Sequence, residues 1–322
     1  MTRTSTVPSK SSTRSFRLPG GSAERTPTLN DRSHQVGAAA TEWATTWPHI
    51  RIPRIPSLVS LLTTAAPFAS TAALTTQVRA TLWVFAVDDY FDSSNAALPE
   101  LRDFATSCST VLRGRQPRSS TPLLDNLVEI RAEVARYPLF QSLAELWGDG
   151  INHMLSGMID EAQWAHEYLS GGARALPSLD CYMRSAYRTI GALPHARTVL
   201  ITLGDSSTTR HVPFLVSLEK EASLVVRLAN DLRSEAKEAR EGTINAVVIL
   251  EQQGRLRGMT PSAALRAARQ TVQEQLDHHL ACCQQLGRHP VTATGQPEAV
   301  ISSTASLTAS FYQKGDFLPG ED

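Results

Sequence analysis

Three aspartates follow an apolar run in the first third of the chain. The run from Leu82 to Val87 contains only hydrophobic residues, and Asp88, Asp89 and Asp92 come directly after it. On a helix, residues four apart share a face, so Asp88 and Asp92 would lie side by side. Carboxylates at the C-terminal end of a helix oppose its dipole and repel one another, and a bound cation would offset that cost. Hard divalent ions such as Mg²⁺ prefer carboxylate and phosphate oxygens.

A second group of oxygen-bearing side chains occurs near residue 230. Asn230, Ser234 and Glu238 are spaced four apart, which places an amide, a hydroxyl and a carboxylate along one helical face. Arg233 and Lys237 lie between them and can reach phosphate oxygens. Each cluster alone is also compatible with a solvated surface, because short motifs arise by chance. Two clusters that each follow an apolar helical run favour a metal–diphosphate site.

The elements that position these clusters are predicted to be helices. From about residue 55 onward, apolar residues recur at helical spacing, strand-like runs are scarce and turn signals lie far apart. Thr260 followed by Pro261 is typical of a helix start. We predict a disordered extension over 1–35 and one all-α domain of about ten helices over 36–322, with a mobile C-terminus after Pro290 and a loop over 288–304.

The overall composition excludes several other functions. Lys plus Arg and Asp plus Glu both number 31, which gives no bulk attraction to nucleic acid or to an anionic membrane. We find no secretory signal and no apolar stretch long enough for stable membrane insertion. The four cysteines lack metal-binding spacing. A cytoplasmic location is therefore expected, and a homodimer is left open.

The paired motifs resemble those of class I terpene synthases. That family carries D-D-x-x-D on one helix and N/D-D-x-x-S/T-x-x-x-E on a facing helix, matched here from Asp88 to Asp92 and from Asn230 to Glu238. The resemblance extends from about residue 55 to about 285. It implies an all-α helical bundle around a central apolar cavity, and an enzyme that ionises an isoprenoid diphosphate and cyclises the carbocation.

The resemblance also implies roles for individual residues. Three Mg²⁺ ions are expected, two on Asp88 and Asp92 and one on the second motif, with Asp89 counted among the candidate ligands but expected to orient a partner. The candidates for contact with diphosphate are Arg184, Arg233, Lys237 and Tyr312.

The diphosphate-sensing arginine of the family has two candidate positions in this chain. The usual offset from the second motif falls on Arg184, which we favour, and an alignment on Thr189-Ile190-Gly191 instead leaves Arg188 nearby. The usual C-terminal Arg-Tyr pair is represented by Phe311-Tyr312, so the arginine is absent.

Aromatic rings can stabilise a cation inside the cavity. Phe85 and Trp164 are the favoured candidates for this role, and Trp83, Trp147 and Tyr168 are further candidates.

Two short strings bear on the substrate. Val87-Asp88-Asp89-Tyr90-Phe91-Asp92 and Glu241-Gly242-Thr243-Ile244-Asn245-Ala246-Val247 are similar to segments of labdane-related, kaurene-synthase-like diterpene synthases. This similarity points to a copalyl-type bicyclic diphosphate. The alternatives are a cyclase of linear geranylgeranyl or farnesyl diphosphate, a chain-elongating prenyltransferase, and an all-α interaction module with solvated acidic faces. A protonating class II cyclase would need a D-x-D-D motif, which the sequence lacks.

Overall fold

The computed structural model describes residues 28–93, 97–241, 243–315 and 317, and these residues form helices and no strand. The α-helices in chain order are α1 (Leu29–Ala44), α2 (Ile55–Ala65), α3 (Thr71–Ser93), α4 (Leu98–Leu112), α5 (Pro122–Val134), α6 (Phe140–Gly171), α7 (Leu179–Thr189), α8 (Ala192–Leu203), α9 (Val212–Glu241), α10 (Ala246–Leu256), α11 (Pro261–Arg288) and α12 (Gln296–Tyr312). The all-α prediction is confirmed, with two helices more than the approximate number expected. Across the described ranges, no helix combines the length and apolarity needed to cross a bilayer.

The first helix begins earlier than the sequence predicted. Thr28 caps α1 by accepting a hydrogen bond from the backbone N–H of Asp31, whose carboxylate accepts from the Thr28 N–H in return. This capping box provides acceptors for two backbone N–H groups at the helix start that have no partner within the helix. Disorder over 29–35 was therefore a wrong prediction, while residues 1–27 lie outside the described part of the chain. The predicted start of α11 at Thr260-Pro261 is confirmed, because the Thr260 side chain caps that helix.

The C-terminal part of the predicted loop is also helical. Only 289–295 separates α11 from α12, and α12 packs against α2, α8 and α9 instead of forming a mobile end. Its many Ser and Thr residues suggested a loop, but Ser306 and Ser310 each donate to the carbonyl four residues earlier, which a helix accommodates. The Glu298 carboxylate accepts two backbone N–H groups of the preceding connection and fixes the approach to α12.

One hydrophobic core extends from Val36 to Phe317, and five helices, α2, α3, α8, α9 and α12, enclose a cavity within it. Between α7 and α8 the chain turns at Gly191, which has a φ of 75°. A Cβ at this position would lie 2.4 Å from Cγ1 of Val84. Only glycine fits this turn, which forms part of the cavity wall.

Candidate active site

The central cavity is mainly apolar, as the sequence predicted, but Thr81, His195, Thr304 and Thr308 also line it. Its lining residues come from the five helices, the Gly191 turn and the C-terminal segment; they include Leu58, Leu62, Val84, Phe85, Ala196, Val226, Ala305, Tyr312 and Phe317. Two of the predicted site residues, Phe85 and Tyr312, are among them. The free volume is about 60 Å³. Pockets for organic ligands usually measure roughly 300–1,000 Å³, so the cavity is nearly filled by its own side chains.

Phe317 provides much of that filling. Its ring centroid lies 5.2 Å from Phe85, 4.7 Å from Phe311 and 5.9 Å from Tyr312. These are ordinary distances for packed aromatic pairs. Entry of a larger ligand therefore requires Phe317 to leave this aromatic cluster or to turn within it.

The other aromatic candidates do not face the cavity. The indole N–H of Trp83 donates to the Leu123 carbonyl at 2.9 Å, and that of Trp147 donates to the Thr198 hydroxyl at 3.0 Å, so both rings are fixed in the core between helices. Trp164 and Tyr168 are half-buried on α6 and do not contribute to the cavity lining. The prediction that Trp164 faces the cation gains no support from this placement, because spacing alone does not tell which face of the long helix α6 meets the cavity.

Asp88 lies one turn beyond Phe85, at the C-terminal end of α3. One side of Asp88 remains open to solvent, but the surrounding protein withdraws water from its carboxylate and raises its pKa to about 7, and the charges of Asp92 and Asp89 add to this rise. No ion pair to Asp88 is found among the described residues. Asp92, one turn further along, is exposed. The helix therefore ends in a cluster of three carboxylates.

Asp89 has a different environment from the two aspartates that flank it. Its two carboxylate oxygens accept bonds from Arg54 at 2.8 and 3.0 Å, and Arg51 lies 3.0 Å away. Arg54 also donates to the Phe85 carbonyl at 3.2 Å. Asp89 thus anchors the end of α3 to the segment before α2. This supports the expected orienting role and argues against counting Asp89 as a metal ligand.

The second motif lies in the last third of α9. The Ser234 hydroxyl donates to the Asn230 carbonyl at 2.8 Å. Burial raises the pKa of Glu238 to about 7, although Arg227 and a hydrogen bond from Asn245 oppose the rise. That bond, from the Asn245 side-chain amide to the Glu238 carboxylate, measures 2.6 Å.

Asn245 is a positioning residue that the sequence analysis did not identify. Its side-chain oxygen caps α10 by accepting the Val248 N–H at 2.8 Å, while its amide holds Glu238. One side chain therefore ties the start of α10 to the metal motif of α9. In the sequence, the string Thr243-Ile244-Asn245 indicates a family similarity. An asparagine directly before an apolar run is also typical of a helix N-cap, and that pattern could have identified Asn245.

Arg227 forms the centre of the site and was also missed. Its side chain lies 2.8 Å from both the Asp231 carboxylate and the Tyr182 hydroxyl, 3.1 Å from the Thr189 hydroxyl and 3.5 Å from Glu161. The Tyr182 hydroxyl donates in turn to Asp231 at 2.9 Å. The only sequence signal was an arginine one turn before the second motif.

Arg227 interacts electrostatically with both motifs. Its positive charge lowers the pKa of both Asp88 on α3 and Glu238 on α9. Even so, both pKa values remain raised, mainly because burial disfavours the charged carboxylates. Carboxylate, amide and hydroxyl oxygens of this kind suit a hard cation. Among the described residues, no group of three or more acidic, His or Cys side chains forms a metal cage, so any cation site here would also need the Asn230 and Ser234 oxygens or phosphate oxygens.

Arg184 and Arg188 lie away from this site. Both line a separate groove, on the face of α7 that points away from Tyr182, and neither lines the central cavity. The expectation that one of them senses diphosphate there conflicts with this placement. The offset from the second motif identified the right helix, but the helical phase of α7 turns these side chains outward. Arg233 is half-buried and Lys237 exposed, both on α9 beside the second motif.

Comparison with known proteins agrees with this geometry. The family model described as terpene synthase family 2, C-terminal metal binding, matches residues 79–278, more than half of the chain. The chain belongs to this family. It is a class I terpene synthase, a lyase that acts on isoprenoid diphosphates. The alternative of a non-enzymatic interaction module was therefore wrong.

This terpene synthase resembles a curated relative, the ent-pimara-9(11),15-diene synthase of Streptomyces sp. (strain KO-3988). The two are 23% identical over 232 residues, which is 72% of each chain.

Solved structures share its fold at low identity. The α-eudesmol synthase structure has a TM-score of 0.67 and 17% identity, covering 93% of this chain and all (100%) of the other. The linalool/nerolidol synthase of Streptomyces clavuligerus, in complex with 2-fluorogeranyl diphosphate, has a TM-score of 0.63 and 19% identity, covering 94% and 99%. The SVS_A2 protein from ancestral sequence reconstruction has a TM-score of 0.70 and 17% identity, covering 88% and 85%.

Proposed function

We propose that this terpene synthase is a Mg²⁺-dependent diterpene cyclase that acts on a copalyl-type bicyclic diphosphate. The observation that carries the proposal is the electrostatic interaction of both Asp88 and Glu238 with Arg227, in a fold that encloses an apolar cavity. The choice of a diterpene substrate is supported by the curated relative, whose name identifies it as a pimaradiene synthase, and by the two strings similar to labdane-related enzymes.

The residues proposed to hold the metal are the oxygen-bearing side chains of the two motifs. Asp88 and Asp92 would hold two ions, and Asn230, Ser234 and Glu238 would hold a third. Magnesium supplies, when bound, positive charge that stabilises the departing diphosphate. Asp89 stays with Arg51 and Arg54, and Arg227 with Tyr182 keeps the α9 carboxylates in place.

Three side chains are proposed to contact the diphosphate. Arg233 and Lys237 project from α9 beside the metal ligands, and their charges suit phosphate oxygens. Tyr312 lines the cavity at the end of α12. Together these groups would fix the head of the substrate while its hydrocarbon enters the cavity.

The cavity walls are proposed to guide and protect the carbocation. Phe85 lines the cavity one turn before Asp88 and is proposed to stabilise the developing cation there, although the Arg54 guanidinium already lies 4.9 Å from its ring centroid. The scarcity of polar groups in the lining keeps out water that would capture the cation. Because the free volume is small, substrate and Phe317 compete for the same space.

A substrate panel tests the proposal directly. The purified enzyme is incubated with Mg²⁺ and, separately, with copalyl, geranylgeranyl and farnesyl diphosphates, and the products are read by mass spectrometry. We expect the highest kcat/KM with the copalyl substrate and polycyclic diterpene hydrocarbons as products. A clear preference for a linear diphosphate would refute the copalyl-type substrate, but the protein would still be assigned as a terpene cyclase.

Ligand-induced stabilisation tests the metal site without turnover. Inorganic diphosphate and Mg²⁺ together are expected to raise the melting temperature by several degrees, whereas either alone should have little effect, because the acidic site repels diphosphate until cations are present. The measurement is a thermal melt with each addition, and Ca²⁺ serves as the matched control ion. Equal stabilisation by diphosphate alone would contradict a metal-mediated site.

Removal of the Phe317 ring is expected to open the cavity. In Phe317→Ala, loss of contacts with Phe85, Phe311 and Tyr312 should admit water, so hydroxylated and acyclic products should increase several-fold relative to cyclised hydrocarbon. The measurement is the product distribution by gas chromatography and mass spectrometry. Phe68→Ala, at an exposed phenylalanine, is the control. An unchanged product ratio would mean that Phe317 does not close the loaded cavity.

A further inference from the structure

A second hollow, here called the basic groove, lies outside the central cavity. Its volume is about 530 Å³, and it shares no lining residue with the cavity. Helices α7 and α11 form its two walls, and α9 and α10 form its floor. The size falls within the range of roughly 300–1,000 Å³ that is usual for small-molecule sites.

The floor of the basic groove is apolar. Leu224, Leu228 and Val272 are 5%, 1% and 1% exposed, and Leu250 and Met183 extend the hydrophobic surface toward the rim. These side chains belong to helices that pack closely, so the floor is part of the folded core. An occupant of the groove would therefore place hydrocarbon against a rigid surface.

The rim of the basic groove carries three cations. Within the described residues, Arg184 has no ion pair or hydrogen bond, and the contacts of Arg188 and Lys220 are with the Tyr187 side chain alone. Asp180 is the only acidic residue that lines the described groove. Positive charge thus exceeds negative charge in the groove, where the three cations face a single acidic lining residue.

Another basic group in the groove is already satisfied. His279 lies 2.7 Å from the Glu221 carboxylate, so this ring does not need an external anion. The cations without an acidic partner among the described residues are therefore Arg184 and Arg188 on α7 and Lys220 in the first half of α9. These cations lie along one edge of the basic groove, next to the hydrophobic floor. The basic groove is therefore polar at that edge and apolar at its base.

We infer that the basic groove binds a phosphorylated amphiphile, with its phosphate on Arg184, Arg188 and Lys220 and its hydrocarbon on the floor. Guanidinium groups bind phosphate oxygens in pairs, and an ammonium adds a point charge. A phosphorylated isoprenoid and a phosphorylated straight-chain lipid share this chemistry. The inference is independent of the proposed cyclase reaction, because none of these residues belongs to the central site.

A second copy of the chain is a less suitable occupant. In a symmetric dimer the same patch lies on both subunits, and an interface centred on it would bring its cations against one another. The concave shape and excess of one charge sign favour a small anionic ligand instead.

Isothermal titration calorimetry on the full chain tests the inference. The titrations use EDTA, which disables the metal site, with farnesyl monophosphate, dodecyl monophosphate and inorganic diphosphate as probes. We expect saturable binding of at least one amphiphile and much weaker binding of inorganic diphosphate. Preference for the farnesyl probe would assign the groove to isoprenoids, and equal binding of both amphiphiles would assign it to phosphorylated lipids in general.

Three variants locate the binding. Arg184→Glu combined with Lys220→Glu should weaken amphiphile binding by about tenfold or more, since two attractive contacts become repulsive. Leu250→Trp fills the space above the apolar floor of the basic groove. It should weaken amphiphile binding although the three rim cations are unchanged. Arg266→Glu, an exposed arginine of α11 outside the groove, is the matched control and should bind as the original protein does.

The inference fails if no amphiphile saturates, or if the double charge reversal binds as tightly as Arg266→Glu. It also fails if light scattering shows a dimer that the double variant alone converts to a monomer, since the groove would then be an interface between copies.

Discussion

Asp88→Ala is expected to reduce turnover by about a thousandfold or more without destabilising the fold. Asp88 stands at the end of α3 without an ion pair among the described residues, and desolvation together with neighbouring charge raises its pKa to about 7. Its removal relieves repulsion but deletes a proposed metal ligand, and loss of one group that stabilises a transition state costs roughly 10²–10³ or more in rate. The measurements are kcat with the preferred diphosphate and the thermal melt. Stabilisation by Mg²⁺ plus diphosphate should disappear as well.

Asp89→Ala is the matched control, one residue away. It leaves Arg54, whose side chain is 10% exposed, without the carboxylate that now pairs with it. An unpaired buried cation costs about 2 kcal/mol, or about 5 °C in melting temperature for a domain of this size. Asp89→Ala should therefore lower the melting temperature, unlike Asp88→Ala, and should keep the stabilisation by Mg²⁺ plus diphosphate that Asp88→Ala loses. If the two variants behaved alike in both measurements, the division of roles between the neighbouring aspartates would be wrong.

Arg227→Met is expected to have the largest effect on stability. The Arg227 side chain is 7% exposed and pairs with Asp231, which is fully buried, and with Glu161, which is 21% exposed; both carboxylates would lose their cation. Breaking such a buried pair costs about 3–5 kcal/mol, which corresponds to a fall of about 10 °C in melting temperature. The control is Arg255→Met, which removes a cation that is 48% exposed and 3.6 Å from Glu251. Exposed pairs of this kind contribute less than about 1 kcal/mol.

The pH dependence of the Arg227→Met variant identifies the cause of its instability. Burial already raises the pKa of Glu161 to about 7 while Arg227 opposes the rise, so removal of Arg227 raises it further. A carboxyl group whose pKa is higher in the folded protein than in the unfolded chain favours folding at low pH, and this contribution is lost as the pH rises through the folded-state pKa. The difference in melting temperature between Arg227→Met and the original protein should therefore be smaller at pH 5 than at pH 8. An equal difference at both pH values would mean that ionised Glu161 and Asp231 are not what Arg227 stabilises.

If Arg227→Met does not fold well enough to measure, Thr189→Val offers a milder test. It deletes a hydroxyl that accepts from Arg227 at 3.1 Å and donates to Glu161 at 3.0 Å. The expected destabilisation is about 1–2 kcal/mol, because two buried polar groups each lose a partner. The same pH comparison then applies.

The sequence by itself determined the fold class and the metal motifs of this protein. Helical periodicity predicts the bundle, since the period of the apolar residues reflects which face of each helix is buried. Spacing of four also determines that Asp88 with Asp92, and Asn230 with Ser234 and Glu238, share faces, because that relation is local to one helix. The cap at Thr260 is equally local.

Only the tertiary structure decided which side chains meet across helices. In the folded chain, Arg184 and Arg188 line a separate groove, and Asp89 anchors the end of α3 to Arg54. Arg227 pairs with Asp231 of the second motif, and Phe317 occupies part of the cavity. The physical reason is that burial, charge pairing and cavity lining depend on the rotation of each helix about its axis and on its neighbours. The identity and spacing of residues along one helix do not contain that information.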